Sequence, residues 1–234
     1  MPDPRATGTD RRAPVMLAFD TAGSACSVAI GRGDALLAHE RREMRHGHAE
    51  ALLPMIDRVT HAAELAPSAI DIIAVSLGPG GFTGIRAGLA AAQGLALAAR
   101  ARLIGVTSFA AVAARMPPGD AAILVALDSR REDLYVQMFD SGGSPLGEPA
   151  AIMPDALRRL VGDATPRIAG DAAERAAAAL GRSDAAIVAG SAPDALGVLA
   201  AARREAGGAP ARALYLRPPD VSFPKARAGA GRAP

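Results

Sequence analysis

Two hydrophobic periods alternate along this chain, and each switch between them marks an element. Residues 15–20 (Val-Met-Leu-Ala-Phe-Asp) form a short apolar run ending on an acid. After a polar turn, residues 25–30 (Ala-Cys-Ser-Val-Ala-Ile) form another, so the pair reads as a strand hairpin. A third strand is predicted near Ala35–Glu40. From about His48 to Leu65 the apolar positions fall at helical spacing: Leu52, Met55, Ile56, Val59 and Ala63 make one stripe, with Leu53 and Thr60 beside it. Pro54 within that pattern predicts a helix start near Leu52 or a bend near Glu50. Ile72–Leu77 is a buried strand, and a small-residue helix follows over Ile85–Ala99.

The pattern then repeats. Residues 123–138 echo residues 15–30: an apolar strand ending in Asp and a hydroxyl residue, a polar turn and a second strand. Asp20-Thr21 and Asp128-Ser129 stand at matching strand ends, where a carboxylate can face a cleft. The later chain gives Pro145–Met153 as strand or loop, a helix near Asp155–Val161 and a strand at Arg167–Gly170. A helix at Ala172–Leu180, a short strand at Ala186–Val188 and a last helix at Asp194–Glu205 complete it. Such a repeat predicts two similar halves, 14–106 and 107–192, each a sheet with helices. A final helix and return segment occupies 193–223, between irregular ends at 1–13 and 224–234.

Composition narrows the chemistry. Half of the 234 residues are hydrophobic but only 3% are aromatic and none is Trp, so the core is aliphatic and alanine-rich. A net charge of +2 is too balanced to mark a nucleic-acid face. All but one of the 26 basic residues are arginine, the exception being Lys225 near the end, which disfavours Schiff-base and P-loop chemistry. Cys26 is the single cysteine, so intrachain disulfides and Cys-rich zinc sites are excluded, and its strand setting makes it a core residue. Neither a secretory signal nor a membrane span is legible, which predicts a cytoplasmic protein.

The richest segment is Leu77-Gly78-Pro79-Gly80-Gly81-Phe82-Thr83-Gly84-Ile85-Arg86-Ala87-Gly88, between a strand and a helix. Free N–H groups at such a helix start, with the aligned peptide dipoles, attract anions. Two phosphate motifs nevertheless fail here: no Gly-Lys-[Ser/Thr] follows, and Thr83 stands where a dinucleotide loop needs its third glycine. A tight strand-to-helix turn with close packing is the other reading, and both stay open. His46, His48 and Glu50 read as solvated groups at a helix start or as a ligand cluster; no His-Glu-x-x-His is present to support a peptidase.

The order of motifs adds a resemblance over roughly residues 15–220. Asp20-Thr21 through Ser27-Val28-Ala29, His48-Ala49-Glu50 with Leu52-Leu53-Pro54, the Gly78–Ala87 loop, Gly105-Val106-Thr107-Ser108 and Tyr215-Leu216-Arg217 occur in sequence. This resembles the bacterial TsaB (YeaZ-type) family, paralogues of TsaD in making threonylcarbamoyladenosine at position 37 of tRNA. The resemblance implies an α/β fold of two similar actin-like (ASKHA/ribonuclease-H-like) subdomains, each a mixed sheet with helices. It implies a non-catalytic accessory subunit that binds and activates TsaD as a heterodimer, with TsaE in the larger assembly and tRNA reached mainly through the complex. A homodimer would use the same helices. The metal-binding His pair of TsaD would fall near Ser108 and Val112, so no metal is implied.

Interface residues implied in this way are Leu53, Ile56, Thr60, Gly84, Gly88, Ala91, Ala92 and Leu95, with Gly88 and Ala92 expected to tolerate arginine without unfolding. Gly78, Gly80, Gly81, Thr83 and Arg86 would shape the loop. Asp20, Thr21, Gly23 and Ser24 keep part of a phosphate hairpin, and Gly170-Asp171 is the best second motif, so ATP or ADP would be held weakly or shared with the partner. Two further readings compete. One is a stand-alone ATPase or small-molecule kinase using Asp20 and Asp128 across the cleft. The other is direct tRNA binding through Arg5, Arg11, Arg12, Arg217, Lys225 and Arg227.

Overall fold

A computed structural model describes residues 12–182, 192–204 and 211–217. The expected strand at Ala186–Val188, the last residue of the Asp194–Glu205 helix, most of both irregular ends and Arg5, Arg11, Lys225 and Arg227 lie outside the described residues.

The first half is a five-stranded sheet in the order β3-β2-β1-β4-β5. β1 (Val15–Asp20) pairs antiparallel with β2 (Ala25–Arg32), which pairs antiparallel with β3 (Ala35–Glu43). On its other side β1 runs parallel to β4 (Ile72–Ser76), and β4 to β5 (Arg102–Val106). The second half repeats this logic with four strands in the order β8-β7-β6-β9. Here β6 (Ile123–Asp128) pairs antiparallel with β7 (Leu134–Phe139), β7 with β8 (Ala150–Ile152), and β6 parallel with β9 (Arg167–Ala169). The sequence echo is thus a topological one, with β1–β2 matching β6–β7.

Strand alternation sorts the first sheet's residues between two helical layers. Leu17, Phe19, Val28, Ile30, Ile73 and Val75 point to α1 (His48–Ala62) and α2 (Phe82–Ala99). Met16, Ala18, Ala29, Ile72, Ala74 and Ile104 point to α3 (Ser108–Ala114) and to α6 (Ala195–Arg204). Ala18, Ala29 and Ala74 keep part of that second face small, and α6 closes onto α3 at Gly197, where a Cβ would overlap the Ala111 carbonyl oxygen. The late helix therefore completes the first half. The second sheet is covered on one face by α4 (Leu157–Val161) and α5 (Ala173–Ala179), through Leu157, Ala173, Ala176 and Ala177.

α3 is a wall shared by both halves. Ala110, Ala111 and Ala114 pack toward the first sheet and α6, while Phe109, Val112, Ala113 and Met116 pack toward the second sheet. A helix apolar on opposite sides has no single stripe, so α3 escapes a period-based reading, as does the short β5. α1 begins at His48 and carries Pro54 inside it, earlier than a start near Leu52. Pro54 only removes the N–H that would have met the Glu50 carbonyl, and the buried Leu52, Met55, Ile56 and Val59 hold the helix to the sheet.

Candidate functional site

The glycine loop is moulded to the turn between β1 and β2. A Cβ on Gly80 would overlap the Ala22 carbonyl, one on Gly84 the Thr21 carbonyl, and one on Gly88 the Thr21 hydroxyl. The contact is hydrogen-bonded as well: Gly81 N–H donates to Ala22 O at 2.7 Å, and Thr21 Oγ1 donates to Gly84 O at 2.8 Å. From the far side, Ser108 donates its N–H to Gly78 O at 2.8 Å and its hydroxyl to Pro79 O at 3.0 Å. Close packing of the loop on its own chain is the reading these contacts carry. Thr83 stays exposed, and Arg86 lays its guanidinium 3.6 Å over the Phe82 ring while its Nε–H donates to Tyr215.

Asp20 turns away from the cleft. It shares the face of Met16 and Ala18, so its carboxyl is fully buried beside Ser76 and the start of α6. There Ala195 N–H donates to Ser27 Oγ, and Asp194 caps α6 through Gly197 N–H while pairing with Arg115 at 2.6 Å. Burial pushes the Asp20 carboxyl up to about 6, and the Asp194 charge adds to the rise. Nearby Ser76 and the N–H groups of Ala22 and Gly23 pull against it. Ala22 N–H bonds Oδ1 at 3.2 Å, whereas Oδ2 and the Ser76 hydroxyl both fall short of hydrogen-bond geometry. The period of two places Asp20 on that face in the sequence; which layer covers the face is a tertiary fact.

Between the halves lies a cavity of about 310 Å³. Gly23 and Ser24 line it from the first hairpin, Gly80 and Gly81 from the loop, and Asp128, Arg130 and Asp171 from the second half. Asp128 keeps its carboxylate half exposed, accepting from Arg130 N–H at 2.9 Å and from Arg175 at 3.2 Å. Asp171 receives the Asp128 N–H at 2.8 Å; packing around its carboxyl raises its pKa although the residue keeps an exposed edge. Of the six expected nucleotide residues, the structure brings Gly23, Ser24 and Asp171 to this lining. Asp20 and Thr21 are engaged in packing, and Gly170 sits at φ 111 where a Cβ would overlap Ala126. Two carboxylates face one arginine here and the Gly81 N–H is already bonded, so the lining does not fit a triphosphate held by this chain alone.

The expected interface residues divide. Ile56, Thr60, Gly88 and Ala92 are buried inside this chain, Gly84 is pressed on Thr21, and Ala91 and Leu95 lean on the same core. Gly88→Arg and Ala92→Arg therefore strike the fold, contrary to the expectation that they spare it. Leu53 alone of the set points outward, 54% exposed, and Leu97, outside the set, is 82% exposed. Arg217 is likewise no solvated end: it pairs with the buried Asp133, whose Oδ1 also accepts from Ser129. Cys26 is fully buried, as a core residue should be. Of the positions expected to match the TsaD His pair, Ser108 is committed to the loop and Val112 to the core.

A family model described as "TsaD: tRNA N6-adenosine threonylcarbamoyltransferase" matches residues 41–206, from the end of β3 to just past α6. The chain belongs to this family. Within it the relatives are TsaB (YeaZ-type) proteins. The "tRNA threonylcarbamoyladenosine biosynthesis protein TsaB" of Escherichia coli (strain K12) is 37% identical over 122 residues, covering 51% of this chain and 52% of that one. Its namesake in Haemophilus influenzae is 35% identical over 123 residues, covering 51% of each. The chain thus spans about half the length of the curated relatives it matches. Among solved structures, "YeaZ from Pseudomonas aeruginosa" superimposes with a TM-score of 0.70 at 29% identity, over 87% of this chain and all of that one. An "uncharacterized protein with similarity to peptidase YEAZ" from the same organism reaches 0.73 at the same identity and coverage. The fold is α/β and actin-like. Among the described residues, no helix is long and apolar enough to cross a membrane.

Proposed function

We propose that this chain is a non-catalytic subunit of the cytoplasmic assembly that installs N6-threonylcarbamoyl on adenosine 37 of tRNA. It docks on the catalytic subunit TsaD and holds it in a competent conformation, while TsaE resets the complex. The observation that carries this reading is the commitment of the loop and hairpin to each other. Thr21, Gly84, Gly88 and Ser108 are engaged in packing and hydrogen bonds within the chain, and Ser108, expected to match one histidine of the TsaD metal pair, spends its hydroxyl on the Pro79 carbonyl. A stand-alone ATPase using Asp20 and Asp128 is disfavoured by the same geometry, because Asp20 faces α6 and leaves the 310 Å³ cavity lined by Asp128 without a carboxylate from the first half.

Docking uses the outer rims of α1 and α2, which lie side by side on one face of the first sheet. Leu53 on α1 and Ala90, Gln93, Gly94 and Leu97 on α2 are exposed, the last four at helical spacing along one stripe. A homodimer through this surface is the same chemistry with a second copy. The test is tRNA threonylcarbamoylation by TsaD, TsaE and the adenylate-forming enzyme, with and without this chain. Dependence on the chain is expected, and Leu53→Arg with Leu97→Arg should abolish both co-purification with TsaD and the stimulation, leaving the melting temperature unchanged. Equal modification without the chain would overturn the proposal.

A further inference from the structure

The short segment 211–217 touches both halves of the molecule. On the first half, Ala211, Ala213 and Leu214 pack against the core between the sheet and helices α1 and α2. Leu214 N–H donates to Leu77 O at 2.8 Å. The Tyr215 ring lies 5.2 Å from that of Phe82, and its hydroxyl accepts from Arg86 Nε–H at 3.2 Å. On the second half, Leu214 and Leu216 pack, with Tyr135, against the core that joins α3 to the second sheet. Arg217 then pairs with Asp133, whose side chain is only 4% exposed and which also accepts the Ser129 hydroxyl at 2.8 Å.

These anchors bracket the cavity between the halves. Leu77 and Phe82 flank Pro79, Gly80 and Gly81 on one wall, and Ser129 and Tyr135 stand on the other. Contact across α3 is of a different kind. Ser108 ties that helix to the glycine loop, and Phe109, Val112, Ala113 and Met116 meet the second sheet by apolar packing. Packing of this sort is non-directional: it keeps two bodies together and leaves their angle adjustable. A stacked ring at one end and a charge-assisted pair at the other do have direction. Arg204 also crosses, to the Gly142 carbonyl, but at 3.3 Å and on an exposed surface.

We propose that residues 214–217 form a clasp that sets the angle between the halves and with it the width of the cleft. Released at either end, the halves swing apart while each keeps its own core. The clasp lies within one chain and is independent of docking on another protein, so it is tested on the full chain alone. Spin labels at Glu50→Cys on α1 and Glu174→Cys on α5, both exposed and one on each half, report the separation by pulsed electron resonance. Cys26 is fully buried and stays unlabelled. Tyr215→Ala frees the first-half end and Arg217→Ala the second; Tyr215 is 41% exposed, so its loss leaves the chain folded. Each variant should lengthen and broaden the label distance. Val59→Ala, which weakens the first core without touching the segment, should leave it unchanged and so separates a clasp from a general loss of stability. An unchanged distance in either clasp variant, or equal lengthening in Val59→Ala, would overturn the proposal.

Discussion

The two hairpins began from one pattern and ended in opposite surroundings. β1–β2 and β6–β7 each pair six residues and each end their first strand in aspartate. Asp20 is fully buried with its pKa raised to about 6, whereas the Asp128 side chain is 46% exposed and braced by Arg175. What differs is the neighbours. The first turn is pressed by the glycine loop on one side and by the start of α6 on the other; the second carries Arg130, Arg131 and Glu132 into solvent. A repeated motif sets strand geometry, and the layers laid over it decide whether its carboxylate is a buried acid or a surface ligand.

The largest effect is expected where that pressure is backbone on backbone. Gly84→Ala places a methyl group on the Thr21 carbonyl and should cost about 3 kcal/mol in urea denaturation. Gly94→Ala, ten residues on in the same helix with open space around it, should instead stabilise by about 1 kcal/mol. Equal effects of the two would mean that the loop is not held against the first hairpin.

Asp20→Asn sharpens the contrast between the carboxylates. Between 3.8 and about 6 the folded chain keeps a proton on Asp20 that the unfolded chain has released. This group's contribution therefore falls as pH rises through that window and stays lost above it. Relative to wild type, the variant should gain on the order of 2–3 kcal/mol by pH 7.5 and much less near pH 4, read from denaturation midpoints. A smaller loss, about 2 kcal/mol, is expected for Arg217→Ala, which leaves the buried Asp133 with Ser129 but without its charged partner; the partial exposure of Arg217 tempers it. Adding Asp133→Asn should recover part of that loss in a double-mutant cycle.

Much of the architecture was legible because it rests on local periods. The hairpin at 15–30, its echo at 123–138, the α1 stripe and the Ile72 strand all follow from alternation or helical spacing. β5 and α3 were not, since a helix buried from two sides shows no face. Site assignment suffered more. The stripe Gly84, Gly88, Ala92 looks the same whether it meets a partner or its own sheet, and here it meets Thr21 and Val75. A spacing of four between glycines, beside a hairpin turn, was the available clue to intramolecular packing. Leu97 could have been found as the large apolar residue off that stripe.

The segment Ala211–Arg217 and helix α6 together carry a consequence for the order of assembly. Leu214 N–H donates to Leu77 O, Tyr215 stacks on Phe82 with centroids 5.2 Å apart, and Arg217 reaches Asp133. α6 meanwhile covers Met16, Ala18 and Ala74. Synthesis releases β1 well before these covers, so on the ribosome the first sheet waits without α6 while the second half is made. A sheet begun early is then closed by a helix made much later, and folding is delayed by long-range contacts rather than by any local element.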